Sequence, residues 1–475
     1  MRLASLPPLL RDEPALVQLV GRAAAALAVP EAARAITLAA LTERSDRRPV
    51  LVAVPTTGEA ERLVHDLEAF LGAHAVELFP AWETLPFERV SPSVEVMGRR
   101  LRTLWRLRER QAQVVVAPVR ALVQRLGPHV EEIEPIEVRP GDQIDPVELV
   151  ERLVGEGYRR EYQVEHRGEV AVRGSIVDVY PSTADGPVRV DLWGDEVDRL
   201  TSFSVSDQRS RTDVGSVQLF GCRELLPTKE VRARAAELVA DQPWGREQWE
   251  RLAEGLVFDG MESWLPWLAD REHVLFDILA PDAQVVLVEP RRMRDRAADL
   301  LAEEADLAAS LAKTWGADVD GEGGFPSLHL PCDRLPTHTD APALSITNVA
   351  EGPDVPAVAA RGFDPVVGGG EALVARVRSM IGEGYRVVVS ADGAGSADRL
   401  AASFASEGVV LQRHAAEAGV APDLTRPGGH LVVASIERGV VVTEAKVAVI
   451  GEADITGRRR AHRAARPRRR ESAGF

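Results

Sequence analysis

The sequence predicts a multidomain α/β protein: a parallel α/β domain, interrupted by a β-rich α+β insertion and followed by a further small α/β domain. Three observations carry this. Within residues 1–125, short continuous apolar runs lead into amphipathic helices, and the same rhythm returns from about residue 217. The stretch 126–216 instead alternates at period two between tight turns. A Pro-, Gly- and Ala-rich stretch at about 338–370 then precedes one more strand–helix alternation.

In chain order, Val50–Val54 is a buried strand, followed by Pro55-Thr56-Thr57-Gly58 and a helix whose apolar Ala60, Leu63, Val64, Leu67 and Phe70 fall on one face. Val114–Ala117 is a second buried strand, leading through Pro118 into a helix over Arg120–Leu126. Serial strand–turn–helix units indicate a parallel sheet. A helix around Pro146–Gly155 opens the insertion. Tyr162–Pro181 alternates about a turn at His166-Arg167-Gly168, and Asp185-Gly186-Pro187 turns the chain into Val188–Trp193, a pattern of antiparallel strands. Val217–Phe220, a helix after Lys229, and Val285–Val288 followed by a helix from Arg291 resume the α/β unit. The last unit places strands at Arg386–Ser390, His430–Ala434, Gly439–Val442 and Lys446–Ile450.

Composition narrows the function. The 475 residues allow about two to four domains, and 45% hydrophobic with 27% charged residues is ordinary for globular chains. Two isolated cysteines, Cys222 and Cys332, exclude a disulfide scaffold and a thiolate zinc site. The formal charge of −16 is uneven: 458–475 holds eight arginines and one acid, leaving a strongly acidic body that repels a phosphate backbone at long range. That tail is expected to be a solvated basic linker. No apolar run is long enough to span a membrane, and Asp12, Glu13, Gln18 and Arg22 interrupt the apolar N-terminus, so a cytoplasmic protein is expected.

Such an α/β arrangement invites a search for a nucleotide site, and the residues are wrong for one. No GxxxxGK[ST] occurs, and the chain has only three lysines. The equivalent loop, after the apolar run Ala23–Val29, reads Pro30-Glu31-Ala32-Ala33-Arg34. Proline removes a donor N–H, and glutamate puts negative charge where phosphate would sit. Arg34 is a poor stand-in for the phosphate-binding lysine. At the end of Val285–Val288, Glu289-Pro290-Arg291-Arg292 sets one carboxylate among guanidiniums, a weak magnesium site. Gly368-Gly369-Gly370 reads as a linker end. The ten histidines form no HExxH spacing, so no metal and no cofactor is expected in this segment. Trp82, Phe87 and Trp105 are expected to pack in the core rather than stack on bases.

Two stretches are particular: Phe79-Pro-Ala-Trp-Glu-Thr-Leu-Pro-Phe-Glu-Arg-Val-Ser-Pro-Ser93 with Arg99–Trp105, and Arg167–Pro181 with Val188–Glu196 and Ser206–Ser210. Together with Gly260–Pro266 they resemble the N-terminal region of the bacterial transcription-repair coupling factor family, which is similar to excinuclease B. The resemblance implies a degenerate helicase-like α/β domain split into 1–125 and 217–340, an inserted domain at 126–216 that binds excinuclease A, a linker at 341–360, a small α/β domain at 361–457, and a basic linker at 458–475. It implies a role in bringing excinuclease A to lesions at stalled RNA polymerase. Contacts to RNA polymerase and double-stranded DNA, and the ATP- and magnesium-dependent motor, would then lie in C-terminal domains beyond this apparent fragment.

By the same resemblance, the docking residues are Arg159, Arg160, Arg173, Arg189 and Asp191, while one family arginine falls on Ala171. The alternation agrees: Val188, Val190 and Leu192 take one face of their strand and leave Arg189, Asp191 and Trp193 on the other. Arg173 and Arg189 are expected on neighbouring strands, facing the same way, with Asp191 beside them. Forked guanidiniums suit carboxylates on a protein partner, against the plainer alternative of a cross-strand Arg–Asp pair. Two rival functions stand beside recruitment: a genuine ATPase, like excinuclease B or a helicase, acting on damaged DNA, and a structural clamp masking the motor.

Overall fold

The apolar runs Val50–Val54 and Val114–Pro118 are buried along their whole length, because helices cover both faces of the sheet they build. In the computed structural model, which describes residues 3–456 apart from 20–21, 23, 129, 270, 316–324, 365–368 and 415–421, these runs are neighbours in a six-stranded parallel sheet. Its order is Ala25–Ala28, Ala343–Thr347, Gln284–Val288, Val50–Val54, Val114–Pro118 and Val76–Leu78. Side chains alternate between two cores. Val52, Val54, Val114, Val116, Val286 and Ile346 face one way, while Leu51, Ala53, Val115, Ala117 and Val285 face the other.

The stretch expected as a linker, 341–360, is corrected by this sheet. Ala343–Thr347 is an internal strand, held between Ala25–Ala28 and Gln284–Val288. Its five residues carry only two strongly apolar side chains, Leu344 and Ile346, so its flanking Pro and Gly dominate the local pattern. A second difference lies at the return from the insertion. Val217–Leu219 pairs antiparallel with Ile136–Val138 and so closes the inserted unit instead of resuming the parallel sheet. The predicted helix Arg120–Leu126 is a single turn, Val119–Leu122.

Beyond that ribbon lies a helical subdomain over Lys229–Leu268, in which Trp244, Trp249, Trp264 and Trp267 pack edge-on and stacked. The inserted unit itself is a six-stranded sheet in the order Ser210–Asp213, Glu196–Phe203, Val188–Trp193, Ile176–Val179, Glu169–Arg173 and Arg159–Arg160. All its pairings are antiparallel except the last. The helix Pro146–Gly155 covers one face, with Leu149, Val150 and Leu153 against Val177, Val179, Val188 and Val190. Asp145 caps it through the N–H groups of Val147 and Glu148.

The motif around Phe79–Trp105 secures the insertion to the first sheet. Arg100, on the helix Val94–Arg108, is fully buried; its Nε donates to Glu224 at 2.6 Å, and its guanidinium lies 4.2 Å from the Phe79 ring centroid. Trp82 Nε1 donates to the same carboxylate at 2.7 Å. Two residues before Arg100, a Cβ on Gly98 would come within 2.4 Å of Ser182 Oγ, so glycine lets the insertion seat closely. Trp82, Phe87 and Trp105 are all buried.

The last unit is a mixed six-stranded sheet, Ala360–Gly362, Val440–Val442, Val447–Gly451, Arg386–Ala391, Gly428–Val433 and Gln412–Arg413. It shares a core with the first unit: Val432, Val440, Val442 and Val449 join the cluster that contains Leu3, Leu6, Val29 and Ala33. The basic stretch 458–475 and Gly368 lie outside the described residues; Gly369 and Gly370 begin the helix Gly369–Gly382. Among the described residues, no helix is long and apolar enough to cross a membrane.

Candidate docking surface

Period-two alternation gives the inserted sheet two unlike faces. The face away from the helix Pro146–Gly155 carries Ala171 and Arg173 on one strand, Asp178 on the next, and Arg189, Asp191 and Trp193 on the third. Register sets Asp178 directly between Ala171 and Arg189. Arg173 and Arg189 face the same way, as the sequence suggests, but they are not on neighbouring strands. The strand Ile176–Val179 lies between them, and its Asp178 joins them.

The joint is specific. Asp178, with 1% of its side chain exposed, accepts from Arg189 Nε at 2.7 Å and Nη2 at 2.9 Å, a bidentate fork, and also from Arg173 Nη2. Arg189 Nη1 donates to Gln208 O at 3.3 Å and Ser210 Oγ at 3.4 Å, and its guanidinium lies 4.9 Å from the Phe203 ring centroid. The hydrogen bond with Asp178 holds the Arg189 guanidinium above its usual pKa, so it stays charged. Arg189 is thus not a solvent-facing cation; only 14% of its side chain is exposed, against 37% for Arg173.

Asp191 lies opposite Ile176 and Arg199 in the register. Partial burial raises its carboxyl pKa, an effect opposed by Arg189 and reinforced by Asp178. Trp193, at the end of the same strand, is 83% exposed. Arg159 is not part of this cluster: it pairs with Glu169 at 3.3 Å, four residues or ~13 Å along the strand from Arg173. Arg160 is exposed on the same edge strand.

The loop where a nucleotide site was sought is held by its own side chains. After the strand Ala25–Ala28, Glu31–Ala33 forms a short 3-10 turn into the helix Arg34–Arg44. Arg34 forms an ion pair with Glu289 at the end of Gln284–Val288. Asn348 bridges the two, accepting from the Glu31 N–H at 3.0 Å and donating its own N–H to Glu289 at 2.9 Å. From the last unit, Arg438 reaches across to Glu31 at 2.6 Å. The cavity lined by Glu31, Arg34 and Arg438 together with the helix residues Arg62 and Asp66 is about 50 Å³, well below the several hundred Å³ typical of small-molecule sites. Arg291 and Arg292, which crowd Glu289 in the sequence, instead pair with Glu351 at 3.5 Å and Glu59 at 2.9 Å.

Residues 136–225, which include every residue of this outer face, match the UvrB interaction domain. Across 96% of its length the chain is 35% identical to the transcription-repair-coupling factor of Mycobacterium tuberculosis (strain CDC 1551 / Oshkosh). The chain is homologous to the transcription-repair-coupling factors. It covers 39% of the mycobacterial protein's length. The factors of Bacillus subtilis (strain 168) and Escherichia coli (strain K12) are 30% and 32% identical over 59% and 50% of this chain, which covers 25% and 21% of their lengths.

In this transcription-repair-coupling factor homologue, sequence reasoning passes over Asp178, Phe203 and Gln208. Asp178 reads as the one acid in the apolar strand Ile176–Val179. Alternation alone places it on a face, but its partners depend on the register of three strands. Gln208 sits in a loop with φ of 57° and reaches back over the face, its Nε2 donating to Val164 O at 3.2 Å and Val205 O at 3.0 Å. No local signal shows that return.

Proposed function

We propose that this chain is a recruitment module that docks excinuclease A through the outer face of its inserted sheet. On this reading it serves transcription-coupled nucleotide excision repair by bringing that protein to lesions at stalled RNA polymerase. Contact with the polymerase, and ATP-driven movement on double-stranded DNA, fall to parts of the protein outside these residues. The observation that carries the reading is the face itself. A buried carboxylate organises two guanidiniums beside an 83% exposed tryptophan, all within the stretch that matches the UvrB interaction domain. Arginine and tryptophan are the residue types that dominate binding energy at protein interfaces. The rival reading, an ATPase like excinuclease B, is disfavoured by the Arg34–Glu289 pair and by Glu31 at the loop.

The test is a titration of purified excinuclease A against the wild-type chain, Arg173→Ala, Trp193→Ala and the control Arg62→Ala. A charge-assisted contact contributes roughly 1.5–3 kcal/mol, so Arg173→Ala is expected to weaken binding at least tenfold, at about 1.4 kcal/mol per tenfold. Trp193→Ala is expected to do the same, and Arg62→Ala to bind as wild type. Wild-type affinity in both surface variants would place the docking site elsewhere.

A further inference from the structure

The two arginines of the outer face are in different states. Arg189 commits all its nitrogens: Nε and Nη2 to the carboxylate of Asp178, Nη1 to Gln208 O and Ser210 Oγ. Arg173 does not. Among the described residues its hydrogen bonds leave from Nη2 alone, to Asp178 and at 3.5 Å to Gln208 Oε1, so Nε and Nη1 keep their donors on a side chain that is 37% exposed. The bidentate Arg189–Asp178 unit is electrically neutral, and the surplus positive charge of the trio belongs to Arg173.

We propose that Asp178 is the positioning residue of this docking surface, a buried carboxylate that fixes Arg173 with its remaining donor edge presented to a carboxylate of the partner. The inference rests on the docking reading above. The physical argument is pre-organisation. An arginine side chain has many rotamers, and ordering it on binding works against association. Asp178 takes one corner of the guanidinium and is itself held by the Arg189 fork, on a strand buried in mid-sheet. Arg173 therefore meets the partner already oriented. Arg189 acts one step further back, as the counter-ion that keeps Asp178 charged and in place.

The experiment separates positioning from folding with an apolar replacement. Swapping a buried ion pair for apolar residues of similar volume is often neutral for stability. The variants are Arg173→Ala, the double Asp178→Leu/Arg189→Met, and the triple that adds Arg173→Ala to that double. Each is measured by urea unfolding and by affinity for excinuclease A. The double is expected to unfold near the wild-type midpoint yet to bind about fivefold more weakly, the loss matched to ordering one long side chain. The triple is expected to bind no more weakly than Arg173→Ala alone, because once Arg173 is gone Asp178 has nothing left to position. If the double binds as wild type while Arg173→Ala is weak, Asp178 serves the fold only, and the inference is overturned with the docking reading intact. Fully additive losses in the triple overturn it equally. If Arg173→Ala itself binds as wild type, the docking reading fails and takes this inference with it.

Discussion

Arg189 looks from sequence like an exposed arginine on a wet strand, and its surroundings make it something else. A surface pair contributes about 0–1 kcal/mol, whereas removing one partner of a buried pair leaves an uncompensated charge and costs roughly 3–5 kcal/mol. Arg189 is nearer the second case, since Asp178 is enclosed and takes two of its nitrogens. Arg189→Ala is therefore expected to lower unfolding stability by about 3 kcal/mol, and Arg173→Ala by no more than about 1 kcal/mol. Urea denaturation of the two variants checks this, and equal midpoints would show that the pair is solvated. The contrast also bears on docking assays, where loss of binding in Arg189→Ala mixes recognition with unfolding and Trp193→Ala does not.

At the scale of one element, Ala25–Arg44 is a strand–turn–helix, an arrangement that can bind phosphate, with side chains unsuited to it at the turn. Helix N-termini attract anions through their free N–H groups. Here the Glu31 N–H is taken by Asn348, and the Glu31 carboxylate by Arg438 from the last unit. A triphosphate would have to displace both and then face two glutamates. Titration with a fluorescent ATP analogue is expected to show no saturable binding up to millimolar concentration, and Glu31→Ala alone is not expected to create any, because Glu289 and Pro30 remain. A micromolar dissociation constant in either protein would contradict the assignment of this element as structural.

Across the whole molecule, the first and last units meet through a shared core and through Asp66. On the helix Thr57–Leu71, this carboxyl accepts the backbone N–H of Glu437 at 2.7 Å. Burial pushes its pKa up to about 7; Glu437 and Asp454 add to the rise, while the Glu437 N–H and Arg438 oppose it. A carboxyl that binds its proton more tightly when folded stabilises the fold below its unfolded pKa, and that contribution is lost as pH rises through the folded value. The melting temperature of wild type relative to Asp66→Asn should therefore fall as pH goes from about 4 to about 7 and level off above. A pH-independent difference would show that Asp66 is solvated and that the contact between units does not depend on its proton.

Local pattern was enough for much of this protein. Val50–Val54 and Val114–Pro118 read as buried strands because four to five apolar residues in a row have no wet face, and the outward set Arg189, Asp191, Trp193 follows from a period of two. Pro30 and Glu31 argue against a phosphate loop by their chemistry alone, an expectation that the ATP-analogue titration tests. What pattern could not supply is pairing between distant residues. Ala343–Thr347 becomes an internal strand because two strands more than fifty residues away leave a slot for it, and Val217–Leu219 belongs to the insertion because Ile136–Val138 is its partner. Asp178 is the sharpest case. A single acid in an apolar strand has no stated purpose in one dimension, and only the register of three strands sets it between Arg173 and Arg189. Side-chain type and spacing are properties of the chain, whereas burial and ion pairing between remote residues come into being only when the sheet closes.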